Sequence, residues 1–119
     1  MKITIETIPH GEQRYPTVGD WQLKDGEIKI LVSRLGNWRY EAAIAVHELV
    51  EVLLCMDKGI SEATVDEYDM RWRGDGELGD EPDAPYRDAH CFATATERML
   101  IAALGVSWAE YDAAVEALP

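Results

Sequence analysis

Cysteine, positive charge and long apolar runs are all scarce in this chain. Its two cysteines, Cys55 and Cys91, are too few for the disulfide framework of a small secreted domain. Both read as reduced thiols of a cytoplasmic protein, packed as small buried apolar groups. Eleven Lys and Arg face twenty-three Asp and Glu, a formal net charge of -12. That balance excludes nonspecific attraction to nucleic acid or to an anionic membrane, both of which are themselves negative. The longest apolar stretch is broken by His47, Glu48 and Glu51, so no membrane span is expected. Met1 to His10 alternates polar and β-branched residues and lacks the apolar centre of a signal peptide. A Gly-rich phosphate loop, a serine or cysteine nucleophile in a recognisable setting, internal repeats and low-complexity tracts are also missing.

What is there suffices for one core. The chain has 119 residues, 47% of them hydrophobic, and reads as a single domain, β-rich over 1–36 and helical over 37–119. Charge is uneven along it: residues 1–40 carry a net +1 and residues 41–119 a net -13. Glu62 to Asp88 is densest, with ten acids against Arg71, Arg73 and Arg87. This segment reads as mostly solvent-facing, serving solubility or contact with a partner of basic surface. Its loop acids Asp75, Glu77, Asp80 and Asp83 lack the D-x-D-x-D-G spacing of a calcium-binding EF-hand.

Lys2 to Ile8 alternates and predicts a strand. Trp21–Lys24, Asp25-Gly26 and Glu27–Ser33 predict an antiparallel hairpin, because Asp-Gly tolerates the positive φ values of a two-residue turn. Ile28, Ile30 and Val32 share one face of it. Asn37 is a candidate N-cap for Tyr40–Met56, a helix apolar on nearly every side and therefore expected at the centre of the fold. A second, acidic helix is expected over Ser61–Trp72 and a loop over 73–85, where glycine, proline and acids break regular structure. A third helix, Tyr86–Leu104, stops at Gly105, and a fourth, Ser107–Leu118, begins with the capping box Ser107/Glu110. Strands first and helices after is an α+β order. Trp21, Trp38, Trp72 and Trp108 fall at element ends and read as core anchors.

The chemistry is concentrated on two of these helices. His47 and Glu51 are four apart and share one helix face, flanked by Ala43, Ile44, Val50 and Leu54. A buried carboxylate in such a stripe needs compensation: a metal, a cation or a hydrogen bond from His47. His90 and Glu97, seven apart, form a second such pair. If the two helices pack together, His47, Glu51, His90 and Glu97 converge and can ligate a divalent metal. The bland alternatives stand beside this. His47 with Glu51, and His90, also fit a hydrogen-bonded core; Glu97 also fits a salt bridge to a core-edge arginine such as Arg39; Glu48 also fits an ordinary solvent-facing helix position.

A hairpin followed by a helix carrying His47-Glu48-x-x-Glu51 resembles the zincin-like metallopeptidases, whose helix reads H-E-x-x-H. The likeness runs from Glu27 to Met56, about a quarter of the chain. It implies that His47 is a ligand of Zn2+ or another divalent metal, that Glu48 is the general base, and that the reaction is peptidase-like hydrolysis. Glu51 stands where the second histidine belongs. A carboxylate there makes the site harder and admits other divalent metals, or marks a member that kept the scaffold without peptidase activity. Asp88-Ala89-His90 through Leu100 is similar to the later ligand-bearing helix of small intracellular zincins, which offers His90 or Glu97 as the third ligand. In size and acidity the chain also resembles small bacteriophage or prophage proteins. The competing class is a non-catalytic acidic interaction protein whose helix pair is plain core.

Overall fold

The computed structural model describes residues 1–71 and 78–119. Three strands come first: β1 (Lys2–Ile8), β2 (Gly19–Lys24) and β3 (Glu27–Ser33). Four helices follow: α1 (Trp38–Lys58), α2 (Glu62–Arg71), α3 (Arg87–Ala103) and α4 (Trp108–Glu116). The architecture is α+β: α1 packs on β2 and β3 of a three-stranded sheet, α3 packs on α1, and α4 on α3. Among the described residues no helix is long and apolar enough to cross a membrane.

The hairpin closes at Asp25 (φ 51°) and Gly26 (φ 76°), both left-handed as a two-residue turn of this kind needs, and pairs Lys24 with Glu27. The sheet order is β1-β3-β2, and β1 runs parallel to β3. The expected hairpin pairs β2 and β3 antiparallel, and the addition of β1 makes the sheet mixed. The reason lies in β3. Ile28, Ile30, Leu31 and Val32 are buried, so this strand takes the centre. The chain from β1 to β2 spans the end of the sheet and leaves the slot between them for it.

Helix α1 starts at Asn37, whose side chain accepts the Arg39 N–H at 3.0 Å. It buries Ala43, Ile44, Ala45, Val52 and Cys55 against β2, β3 and α3. Leu53 and Met56 reach solvent, so the helix is covered on two sides rather than all round. Helix α3 meets it through Ala89 and Ala93, small residues that let the two backbones approach closely. At α4 the Ser107 hydroxyl accepts the Glu110 N–H at 3.4 Å.

Several single-residue expectations change. Trp21 is buried, but Trp38 is 61% exposed beneath the Arg39 guanidinium, and Trp72 lies outside the described residues. Cys55 is buried and Cys91 exposed, because Cys91 follows His90 on the outward side of α3. The acidic segment is not uniformly a solvated face. Asp80, Asp83 and Asp88 are exposed, whereas Asp66 and Asp69 hold the N-terminal part against α2. Asp75 and Glu77 lie outside the described residues.

Arg14 makes much of that connection. Its guanidinium donates twice to Asp20 of β2, at 2.8 Å each, and twice to Asp66 of α2, at 3.0 and 3.1 Å. Asp20 is 3% exposed, so its charge depends on this partner. Arg14→Ala should lower unfolding free energy by about 2 kcal/mol, the cost of leaving a buried carboxylate without its cation. Urea denaturation measures it, and Asp20→Asn in the same background should recover part of the loss.

Candidate metal centre

Two packed helices build the site. One turn of α1 stacks His47 over Glu51, and the contact with α3 brings the His90 ring to 4.9 Å from the His47 ring, centroid to centroid. Glu51 Oε2 lies between them, 3.3 Å from His47 Nε2 and 3.1 Å from His90 Nδ1. All three residues are buried, and each offers a ligand atom within 4.8 Å of the others. The three residues named from helical spacing thus meet at one point.

Glu97 stands one step back. Its Oε1 accepts from His47 Nδ1 at 2.8 Å, and its Oε2 accepts the Tyr111 hydroxyl of α4. It is a positioning group across the imidazole from the triad. Its partners are His47 and Tyr111 rather than Arg39, because it sits on the inward face of α3 with His90, while Arg39 stacks on Trp38. A third group from outside the pair completes the shell: Trp21 Nε1 of β2 donates to Glu51 Oε1 at 3.0 Å. Sequence reading placed Trp21 in the core and gave Tyr111 no role. Neither has a local signal for the site, since both arrive from elements distant along the chain.

The donor set suits a divalent cation. With its proton on Nδ1, donated to Glu97, His47 presents the Nε2 lone pair toward the point that Glu51 and His90 share. Carboxylate–histidine pairs of this kind orient metal-binding imidazoles. Among the described residues His90 Nε2 makes no hydrogen bond; it lies 3.1 Å from Asp80 Oδ1 but outside hydrogen-bond geometry. Two glycines make room. A Cβ on Gly79 (φ 92°) would come within 2.6 Å of His90 Cγ, and one on Gly19 within 2.6 Å of Glu48 Oε1.

The triad opens onto a cavity of about 740 Å³ that Glu48 and Asp69 also line. Glu48 is partly buried against Gly19 on the cavity side, not solvent-facing. Asp69 accepts the Tyr15 hydroxyl at 2.9 Å and the Tyr86 hydroxyl as well. Burial, with the Glu51 charge, raises Glu48 well above the usual carboxylate range. Burial likewise carries Asp69 up to about 6, against the two tyrosine hydrogen bonds. Burial opposes ionisation of Glu51 too, but hydrogen bonds from His47 and His90 outweigh it and hold that carboxyl at about 2. For His47 burial disfavours the imidazolium, and hydrogen bonds to Glu51 and Glu97 overcome it, so the ring titrates well above 6.5.

These shifts give the metal-free protein a pH signature. The raised His47 contributes stability that is full below its unfolded value of 6.5 and is lost as pH rises through the folded one. The lowered Glu51 contributes stability that is full above 4.5 and is lost as pH falls toward about 2. Glu48 and Asp69, both raised, act in the same direction as His47. Chelator-treated protein should therefore melt highest between about pH 4.5 and 6.5 and lower at about pH 8. Added metal should give the opposite trend, a stabilisation that grows with pH, because it competes with the proton on His47. Calorimetry with and without chelator checks both slopes. Glu97→Gln should weaken metal binding about 10- to 100-fold without changing stoichiometry, read by competition with a chromogenic chelator.

Comparison with family models, with curated proteins and with solved structures gives no match, so the chemistry of this chain is read from its own residues.

Proposed function

We propose that the chain is a zincin-like metal-binding domain in which His47, Glu51 and His90 hold a divalent cation, Zn2+ first, for peptidase-like hydrolysis with Glu48 as general base. The observation that carries this reading is the meeting of three buried donors on α1 and α3 beside a cavity, with Glu97 and Trp21 behind them. When bound, such an ion supplies Lewis-acid chemistry, polarising an acyl carbonyl and acidifying water.

The chain's own groups do the rest. Glu51 keeps the i, i+4 position of the family's second histidine, so the face of α1 is preserved while one imidazole becomes a carboxylate. Glu97, itself held by Tyr111, fixes the rotation of His47. Glu48 is about 100° round the helix from His47, and its carboxylate faces the cavity that the triad opens onto. A cation held by the triad would draw Glu48 back toward its ionised form, in which it can take a proton from the attacking water and return it to the leaving amine. The acidic walls favour peptide segments of basic character. An exposed Cys91 and a buried Cys55, both free, suit the reducing cytoplasm.

A second reading has its own support: Glu51 already accepts from Trp21, His47 and His90, so the buried charge is satisfied with no ion. That arrangement fits a non-catalytic binding protein on the same scaffold. Elemental analysis of protein purified without chelator separates the two. The hydrolase reading expects one divalent ion per chain, its loss in His47→Ala, and cleavage within a panel of denatured proteins and peptides. Glu48→Gln should retain the ion and lower turnover at least about 100-fold. Stoichiometric metal without cleavage supports a binding scaffold, and absence of metal supports the acidic interaction module.

A further inference from the structure

The free edge of the sheet points to a second copy of this chain. Strand β2 is an edge strand whose Leu23 N–H is taken by the Glu62 carboxylate of α2. Strand β1 is the other edge, and its outward backbone groups have no partner among the described residues. Ile3 and Ile5 lie on the face of the sheet that carries Ile28 and Ile30, their neighbours in β3. Helix α1 covers β3 and β2, so these two isoleucines are left 40% and 52% exposed. An open edge with apolar side chains is a template for strand pairing.

The register follows from the backbone and the charges. Ile8 C=O accepts the Arg34 N–H at 2.8 Å, so even-numbered residues of β1 turn their backbone groups toward β3. Ile3, Ile5 and Thr7 turn theirs outward. An antiparallel ladder on this edge must set these odd residues opposite one another. Symmetry about Thr4 does so and places Ile3 opposite Ile5 and Lys2 opposite Glu6, twice over. Symmetry about Ile3 or Ile5 would instead set Lys2 opposite Thr4 or Ile8 and leave the charges unmatched. The Lys2–Glu6 positions fall at non-hydrogen-bonded pairs, where facing side chains come closest. Lys2 lies 3.3 Å from Glu27, and Glu6 has no counter-ion among the described residues. The pairing would therefore continue the alternation of charge from Glu27 through Lys2 to Glu6 of the partner subunit.

We propose that the protein forms a two-fold symmetric homodimer by antiparallel pairing of β1 with β1 of a second copy, in register about Thr4. The two three-stranded sheets become one continuous sheet. An edge contact buries less area than a standard interface, so the dissociation constant should be on the order of 10 μM.

Sedimentation velocity from about 1 to 200 μM tests it. Wild type should pass from monomer to dimer across that range. Lys2→Glu and Glu6→Lys, each alone, place like charges opposite one another and should weaken self-association about 10-fold or more. An equimolar mixture of the two should dimerise as well as wild type, since every position-2 side chain then faces an opposite charge at position 6. Wild type that stays monomeric, single variants that associate as wild type does, or a mixture that stays monomeric would each overturn the proposal. Amide exchange in the wild type needs no variant: protection at Ile3, Ile5 and Thr7 should rise with concentration, and exchange independent of concentration overturns the pairing.

Discussion

A carboxylate buried between two helices is the constraint on which this molecule turns. Glu51 lies in the core with two imidazoles on one oxygen and an indole N–H on the other. An ionised carboxylate in that position is costly unless its neighbours supply hydrogen bonds and positive charge. That demand reaches three elements. Helix α3 must pack closely enough on α1 to deliver His90, and its alanines allow this. Strand β2 must bring Trp21 beneath the pair. Glu97 and Tyr111 must hold the far side of His47, which ties α4 to the same network.

The same groups serve two states. Protons on the imidazoles neutralise Glu51 in the metal-free form, and in the metal-bound form proposed above a cation would take their place. The two states differ in what sits between the donors and share the shell around them. The wall of the cavity is acidic beyond what the triad needs, because Glu48 and Asp69 add carboxyls whose burial favours the protonated form. A cation brought to the site draws both carboxyls toward their ionised forms, so the wall can offset its charge only once the cation is there.

The N-terminal sheet plays two parts on its two edges. At β2 it contributes to the site: Gly19 leaves room for Glu48, Trp21 bonds Glu51, and Asp20 anchors Arg14. At β1 it leaves apolar side chains that the helix layer does not reach. The parallel placement of β1 beside β3 creates that second edge, and it was not legible from alternation of residues, which gives a strand but not its neighbour.

Local rules determined a good deal from sequence alone. The Asp25-Gly26 turn, the Asn37 and Ser107 caps and the helical spacing of His47 with Glu51 and of His90 with Glu97 depend on neighbours a few residues away, and all are present in the fold. The convergence of His47, Glu51 and His90 was legible as a condition, namely that α1 and α3 pack face to face. What only tertiary structure decided were the relations between distant segments. Glu97 had a reachable partner in either direction until packing set it behind His47. Glu48 fits a solvent-facing position better by sequence alone, until β2 places Gly19 against it. Trp21 and Tyr111 joined the site from 26 residues before His47 and 21 after His90, and Cys91 turned outward on the face opposite its neighbour. Spacing along one helix selects a face, but which face meets which partner is set by the burial of apolar surface over the whole chain.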